Sequence, residues 1–288
     1  MEILITHLTR MDGDRVCVAG LTEDGEHVRP VARTGHLTRG DAAIDFQLGN
    51  VVRLGNPRHA PENGMPEDWL IDVDDSYAVR TADDAEIHER LDAVAVDSLA
   101  KAFAGLEQHG HNRWAAPPGR IFQSLAVVRA HAWRLIPQPQ WERAVLGYRD
   151  AGLPAVTLPV GDLRLFPEGH ELDFGVLQQM MAFLRMRDPV LVCVGLSRPW
   201  ANDDGPELHW TQANTLWPDR ASLSEWLREA GRERLSRTRP PTLRTGDQLR
   251  EFFDGLDAQQ VDGDPEEDWA TAKARIAASR TAGLPQDT

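Results

Sequence analysis

The chain has 288 residues, of which 41% are hydrophobic and 26% are charged. This composition is typical of a soluble globular protein, and the length allows two core units with additional segments. The net charge of −14 excludes a protein that coats duplex DNA by bulk electrostatics, although it allows a local basic groove. The many arginines are typical either of a high-GC genome or of planar phosphate and base recognition.

The first 80 residues have the pattern of a small barrel. We predict strands at Glu2–His7, Arg15–Leu21, His27–Val31 and Phe46–Leu54. An Asp-Gly pair ending at Gly25 predicts a hairpin between the second and third strands, because glycine tolerates the positive φ of a tight turn. Short strands with glycine turns favour a barrel over residues 1–80, which the apolar stretch 69–73 closes or extends.

Residues 81–119 are predicted to form a helical connector. Apolar residues at helical spacing between Asp83 and Leu106 predict an acidic helix. The histidines, tryptophan and prolines at 110–119 then indicate an ordered link.

A second β-rich unit is predicted over residues 120–218. The expected elements are strands at 120–135, 144–148, 155–158, 163–166, 189–196 and 209–216, and a helix at 173–187. The continuous apolar run 189–196 predicts a buried strand, and the alternating strand 209–216 should pair near it.

The remaining residues, 219–288, predict a charged helical tail. Residues 220–250 hold eight arginines and four acids, and residues 251–268 hold eight acids and no base. Such a tail is typical either of helices that pair their charges with one another or of a segment that docks nucleic acid or a protein partner.

Motifs for catalysis and cofactors are missing from the sequence. It has no Gly-rich phosphate loop and no nucleophile elbow, and the pair His109 and His111 lacks further zinc ligands. Cys17 and Cys193 lie within apolar runs, which predicts core residues and a reducing cytoplasm. No apolar run is long enough to span a bilayer and no basic leader is present, so we expect a cytoplasmic protein without membrane partner, cofactor or metal.

Polar residues concentrate at the predicted strand ends. They are His7, Thr9, Arg10, Arg29, Arg198, Trp200, His209, Trp210, Gln212 and Asn214. Arginine, histidine, tryptophan and amides are the groups that stack on bases and read their edges. Regular alternation puts Trp210, Gln212 and Asn214 on one face, which favours a binding face, although a core Trp210 with polar residues satisfying turns is the alternative.

Seven sequence blocks carry a family resemblance over about residues 1–218. They are MEILITHLTRM, VCVAGL with the following EDGEHVRPV, the Gly35–Arg39 segment, EDWLID, VGDLRLF, VGLSRPW and HWTQANTLW. In this order they resemble the dual OB-containing domain family. The resemblance implies two OB barrels in one chain, an association with prokaryotic conflict and defence systems, and a role in nucleic-acid binding or sensing at the ten polar positions above.

The predicted fold is therefore a mixed, β-rich one, with two OB-like small barrels packed together, an inserted acidic helix and a helical tail. A non-enzymatic module that binds single-stranded nucleic acid or a nucleotide is favoured. In it Arg10, Arg29 and Arg198 hold phosphate, Trp210 stacks, and Gln212 or Asn214 reads a base edge. A regulatory subunit that docks a protein partner through its tail is the alternative, and a nucleotide-processing enzyme with an unrecognised site is a third possibility.

Overall fold

The computed structural model describes residues 1–217, except 34, 62–64, 110–111, 120, 168–170, 185–188 and 202–204. All of the described residues belong to one unit, Met1–Glu229. The predicted tail at 219–288 lies outside the described residues.

The first sheet curls into a closed barrel. Its elements are β1 (Glu2–Arg10), β2 (Arg15–Leu21), β3 (His27–Ala32), β4 (Leu37–Thr38), α1 (Arg39–Ile44), β5 (Asn50–His59) and β6 (Asp68–Thr81). The strands follow the order β1-β5-β6-β3-β2-β4, and a direct pairing of β1 with β2 closes five of the described strands into a ring. Apolar side chains such as Ile3, Val18 and Ile71 fill its interior.

The hairpin between β2 and β3 is confirmed. Gly20 pairs with Val28 and Leu21 pairs with His27. Gly25 has a φ of 82°, the left-handed conformation that the turn needs.

The connector is helical only in part. It contains α2 (Asp84–Val94), β7 (Ala95–Val96), α3 (Leu99–Ala102), β8 (Glu107–His109) and β9 (Arg113–Ala116). The single helix predicted up to Leu106 is wrong. The chain is extended after Val94 and β7 pairs with the second sheet, and the Ser98 side chain then caps α3 by accepting from the Ala100 amide.

The second sheet is a strongly curled half-barrel. Its remaining elements are β10 (Leu125–Gln138), β11 (Arg143–Arg149), β12 (Val156–Pro159), α4 (Phe174–Leu184), β13 (Val190–Leu196), β14 (Trp200–Ala201) and β15 (Glu207–Trp217). The strand order is β12-β11-β10-β13-β15-β9-β8, and a bridge from Val160 to Ala213 brings its far side back to β15. β13 is buried along its whole length, as its apolar run predicts.

The strand predicted at 163–166 is wrong. Residues Leu163–Leu165 form a 3-10 turn instead. The Asp162 carboxylate accepts from the Arg164 amide and thereby caps this turn, so the local side-chain bond replaces the ladder of a strand.

The two curled sheets share an apolar contact and several hydrogen bonds. Leu4, Leu21 and Val51 of the first sheet belong to the same buried cluster as Val127 and Trp217 of the second. In addition, the Trp217 indole donates to the Thr6 carbonyl over 2.8 Å, and the Leu8 amide donates to the Thr215 hydroxyl over 3.0 Å. These two hydrogen bonds hold β1 beside β15.

Among the helices that the structure describes, none has the length and apolar character needed to cross a membrane.

Candidate ligand-binding cleft

A cleft of about 460 Å³ opens where the first barrel meets the loop after β13 and the strand β15. Among the described residues, its lining includes six of the ten predicted ligand-binding residues: Arg10, Arg29, Arg198, Trp200, Gln212 and Asn214. The structure thus brings together strand ends that are far apart in the sequence.

Two arginines at the cleft share the carboxylate of Asp68. Arg29 donates from Nη1 to Oδ1 over 3.1 Å, and Arg198 donates from Nη2 to Oδ2 over 3.1 Å. Asp68 is fully buried, and β3 and β6 place it directly beside Arg29 in the sheet. One carboxylate therefore faces two guanidinium groups from the two halves of the molecule.

Glu67, next to Asp68 in the chain, binds the start of β10. Its carboxylate accepts from the Ser124 amide over 2.6 Å and from the Leu125 amide over 3.2 Å. Arg29 also donates to the Ser124 hydroxyl over 3.0 Å. Burial alone would lower the pKa of Arg29, but Cys17, Asp68 and Glu67 around it raise that pKa above its ordinary value, so its positive charge is kept.

Charges of both signs act on the groups that line the cleft. Burial, followed by the charges of Arg198 and Arg15, lowers the pKa of His36 in the lining. Burial also lowers the pKa of Arg10, while the charge of Asp12 in the same lining raises it and the charge of Arg39 lowers it. Burial is the largest cause for both groups and disfavours any charge, so only the smaller contributions of Arg198, Arg15 and Arg39 reflect nearby positive charge.

The loop that carries Arg198 and Trp200 is anchored on β15 through Ser197. The Ser197 amide donates to the Trp210 carbonyl over 2.9 Å, and the Trp210 amide donates to the Ser197 hydroxyl over 3.0 Å. His209 donates from Nδ1 to the Ser197 carbonyl over 2.8 Å. Trp200 lies at the end of this anchored loop, lines the cleft and is 44% exposed.

Asn214 reaches the cleft from an irregular point of β15. Cys193 pairs with Thr215 and Val194 with Ala213, so Asn214 lies in a β-bulge, a feature that redirects a side chain. The side chain is almost fully buried, and its Oδ1 atom accepts no hydrogen bond from the described residues. An acceptor oxygen in this state favours a ligand that donates a hydrogen bond.

Trp210, which was predicted to stack on a base, lies outside the lining of this cleft. Trp200 lies beside its ring at a centroid distance of 5.7 Å, and the Arg113 guanidinium lies 4.2 Å above it. The indole donates to the Trp200 carbonyl over 3.3 Å. Since these neighbours cover Trp210, Trp200 is the tryptophan that faces the cleft.

His7, Thr9 and His209 are likewise buried away from the cleft lining. His7 packs edge-on against His27 with their ring centroids 5.7 Å apart. Burial, followed by the charge of Arg29, lowers the pKa of His27 to about 4. Burial, followed by the charges of His27 and Arg29, lowers the pKa of His7 well below its ordinary value. Both rings are neutral packing groups at pH 7, and His209 anchors the Ser197 loop.

Sequence reasoning missed the acidic partners of the arginines. Glu67 and Asp68 stand directly before the mostly apolar run WLIDV, and two adjacent acids at the start of such a strand are the signal that could have identified them. Cys17 was predicted in the core, whereas it is half-buried and lines the cleft; Cys193 is buried as predicted.

Comparisons with known proteins agree with this architecture. The family model of the dual OB-containing domain matches residues 1–215. The chain is also 42% identical over 64 residues to a protein of Mycobacterium tuberculosis (strain ATCC 25618 / H37Rv) described as a candidate antitoxin, VapB23. The matched segment covers 22% of this chain and 74% of that protein. No solved structure matches the chain. The closed barrel, the curled half-barrel and the match over residues 1–215 show that the chain belongs to the dual OB-containing domain family.

Proposed function

We propose that the cleft binds a nucleotide or a single-stranded nucleic acid and that the protein acts as a non-enzymatic binding or sensing module. The arrangement of Arg29 and Arg198 around the single carboxylate of Asp68 carries this proposal. Arg10 also lines the cleft, so three guanidinium groups from separate strand ends stand around one space. Guanidinium groups match the geometry of phosphate, and we assign the anionic part of the ligand to these three groups.

The remaining lining fits a base. The partly exposed ring of Trp200 offers a stacking surface, and the Asn214 carbonyl oxygen offers an acceptor to an exocyclic amine. The volume of about 460 Å³ falls within the range of ordinary small-ligand sites. A short ligand also agrees with the net charge of −14, which disfavours a long polyanion spread over the whole surface.

Tryptophan fluorescence of the full-length protein tests this function. The ligands are nucleoside monophosphates and single-stranded DNA and RNA, each titrated at two salt concentrations. We expect saturable binding that weakens with salt and that Arg198→Ala reduces. Arg53→Ala is the matched control, because Arg53 also donates to an acidic side chain but lies outside the cleft lining. Binding that Arg198→Ala leaves unchanged would contradict the proposal.

A protein-docking subunit is the second candidate, and the similarity to a candidate antitoxin favours it. In this case the arginine-rich segment after Pro218 contacts a partner protein, and a place in a prokaryotic defence system follows from that contact. Deletion of residues 219–288 should then abolish capture of the partner while circular dichroism shows that residues 1–217 stay folded. Unchanged capture contradicts this candidate. Chelator-sensitive turnover of oligonucleotides would favour a nucleotide-processing enzyme over both.

A further inference from the structure

A row of tryptophans and arginines leads from the cleft across the second sheet. The Trp200 and Trp210 rings lie 5.7 Å apart, and the Arg113 guanidinium lies 4.2 Å above Trp210. At the start of β11, the Arg143 guanidinium lies 4.7 Å from the centre of the Trp141 ring. We refer to Trp200, Trp210, Arg113, Arg143 and Trp141 as the Trp–Arg row.

The two arginines lie on the strands that flank β12: β11 pairs with β12, and the Thr157 amide of β12 donates to the Asn112 carbonyl just before β9. Burial, followed by the charge of Arg143, lowers the pKa of Arg113. Among the described residues, neither arginine forms an ion pair with a carboxylate, and Arg143 donates to the amide oxygen of Gln138 over 2.7 Å. The row therefore carries two arginine charges in a chain that is acidic as a whole.

The row is accessible at both ends. Trp200 is 44% exposed at the cleft, and Trp141, in the tight turn between β10 and β11, is 58% exposed. Two large exposed aromatic rings on one positively charged surface are unusual for a structural role, because burial against the core would stabilise each ring more.

We propose that the Trp–Arg row extends the cleft into a track for single-stranded nucleic acid, so that the ligand is a polymer rather than a free nucleotide. The inference rests on the proposed function, since the cleft holds the first nucleotide. Exposed rings stack on successive bases and guanidinium groups follow the phosphates between them, which is how single strands are bound without sequence preference. Paired bases in a duplex hide the faces that these rings contact.

The test measures affinity against ligand length with the full-length protein. The ligands are deoxycytidine homopolymers, whose base carries an exocyclic amine, from the mononucleotide to about 16 nucleotides, the upper end of the site size of an OB fold. We expect affinity to rise with length until the track is filled. Trp141→Ala and Arg143→Ala should each weaken binding of the longest strand by about 5-fold to 100-fold, as for the loss of a base–aromatic stack, and leave binding of the mononucleotide unchanged.

The exposed pair of Arg53 and Tyr77 on the first barrel is the matched control. Their guanidinium and ring also lie face to face, at 5.9 Å, but outside the row. Arg53→Ala and Tyr77→Ala should leave the affinity at every length unchanged. Circular dichroism of Trp141→Ala and Arg143→Ala should match the unaltered protein, because both side chains are exposed.

The outcomes separate the track from the cleft. Mononucleotide binding without any gain from length, or an unchanged affinity of Trp141→Ala for the longest strand, overturns the track and leaves the cleft intact. Equal affinity for a duplex of the same length also overturns the track. Absence of binding at every length overturns the proposed function together with the track.

Discussion

Gly195 and Asn214 face each other on neighbouring strands, and a Cβ atom on Gly195 would stand 2.5 Å from the Nδ2 atom of Asn214. Any larger residue at position 195 would therefore push the Asn214 amide out of its place at the cleft. The bulge of β15 aims Asn214 at the cleft, and the absence of a side chain on Gly195 leaves room for it.

Gly195→Ala should weaken ligand binding by about threefold to tenfold, the effect of losing one hydrogen bond to a displaced amide. Titration with the ligand that binds best checks this. Gly147→Ala is the control, because Gly147 also lies in a strand but a Cβ atom there would meet its nearest neighbours only at ordinary contact distance. Equal losses in the two variants would point to a general effect of alanine in a strand.

Arg198→Ala should reduce affinity for an anionic ligand by about tenfold to a hundredfold, as for one charge-assisted hydrogen bond. The slope of log affinity against log salt should fall by about one, because one phosphate contact is lost. Arg198→Lys keeps the charge without the planar fork, so it should restore the slope and only part of the affinity. An unchanged slope in Arg198→Ala would show that Arg198 contacts no phosphate.

Asp68→Asn should lower the free energy of unfolding by about 3–5 kcal/mol, because it leaves the buried Arg29 without its ion-pair partner. Urea denaturation measures this change. Asp72→Asn is the matched control, since Asp72 pairs with Arg33 at the surface and should cost less than about 1 kcal/mol. Similar costs in both variants would mean that the buried position of Asp68 has no special effect on stability.

The contact between the buried His7 and the half-buried His27 predicts a loss of stability in mild acid. Burial and the charge of Arg29 lower the pKa of His27 from 6.5 to about 4 in the folded protein. The unfolded chain binds the proton first as pH falls, so the contribution of His27 is complete above pH 6.5 and is lost towards pH 4. The full loss is about 3 kcal/mol.

His27→Gln should reduce the steepness with which the free energy of unfolding falls between pH 6.5 and pH 4. Urea denaturation at a series of pH values measures this slope, and the interval above pH 7 is the internal control. The two proteins are compared by the slope of the free energy of unfolding against pH. A constant change in that free energy caused by the substitution therefore does not affect the result. Parallel profiles of the variant and the unaltered protein throughout would exclude His27 as the source.

The β-strands were predictable where a local pattern determines them. The apolar run of β13 and the Asp-Gly turn before β3 needed only the sequence, since burial on both faces and a positive φ at Gly25 each leave a direct signature. The connector was not predictable in this way. Whether Ala95–Val96 continues α2 or pairs as β7 depends on β10, which lies some 30 residues further along the chain.

The candidate site was predictable from local patterns only in part. Arginines and amides at strand ends pointed to the cleft lining, and Arg10, Arg198 and Asn214 do line one cleft. Alternation alone assigned Trp210 to the same face, but it carries no information on Arg113 and Trp200, which cover that ring. That these residues bind a ligand stays a prediction until the titrations are made.

The hydrogen bond from Trp217 to the Thr6 carbonyl joins the first strand of the chain to the last one described. During synthesis, residues 1–81 leave the ribosome on the order of ten seconds before β15 does. Throughout that interval, the outer edge of β1 has no partner at Thr6 and Leu8. All strands of the first barrel can pair before then, but these two hydrogen bonds form only after translation has passed residue 217, and a nascent chain stalled earlier presents this uncovered stretch of β1 to chaperones and to other chains.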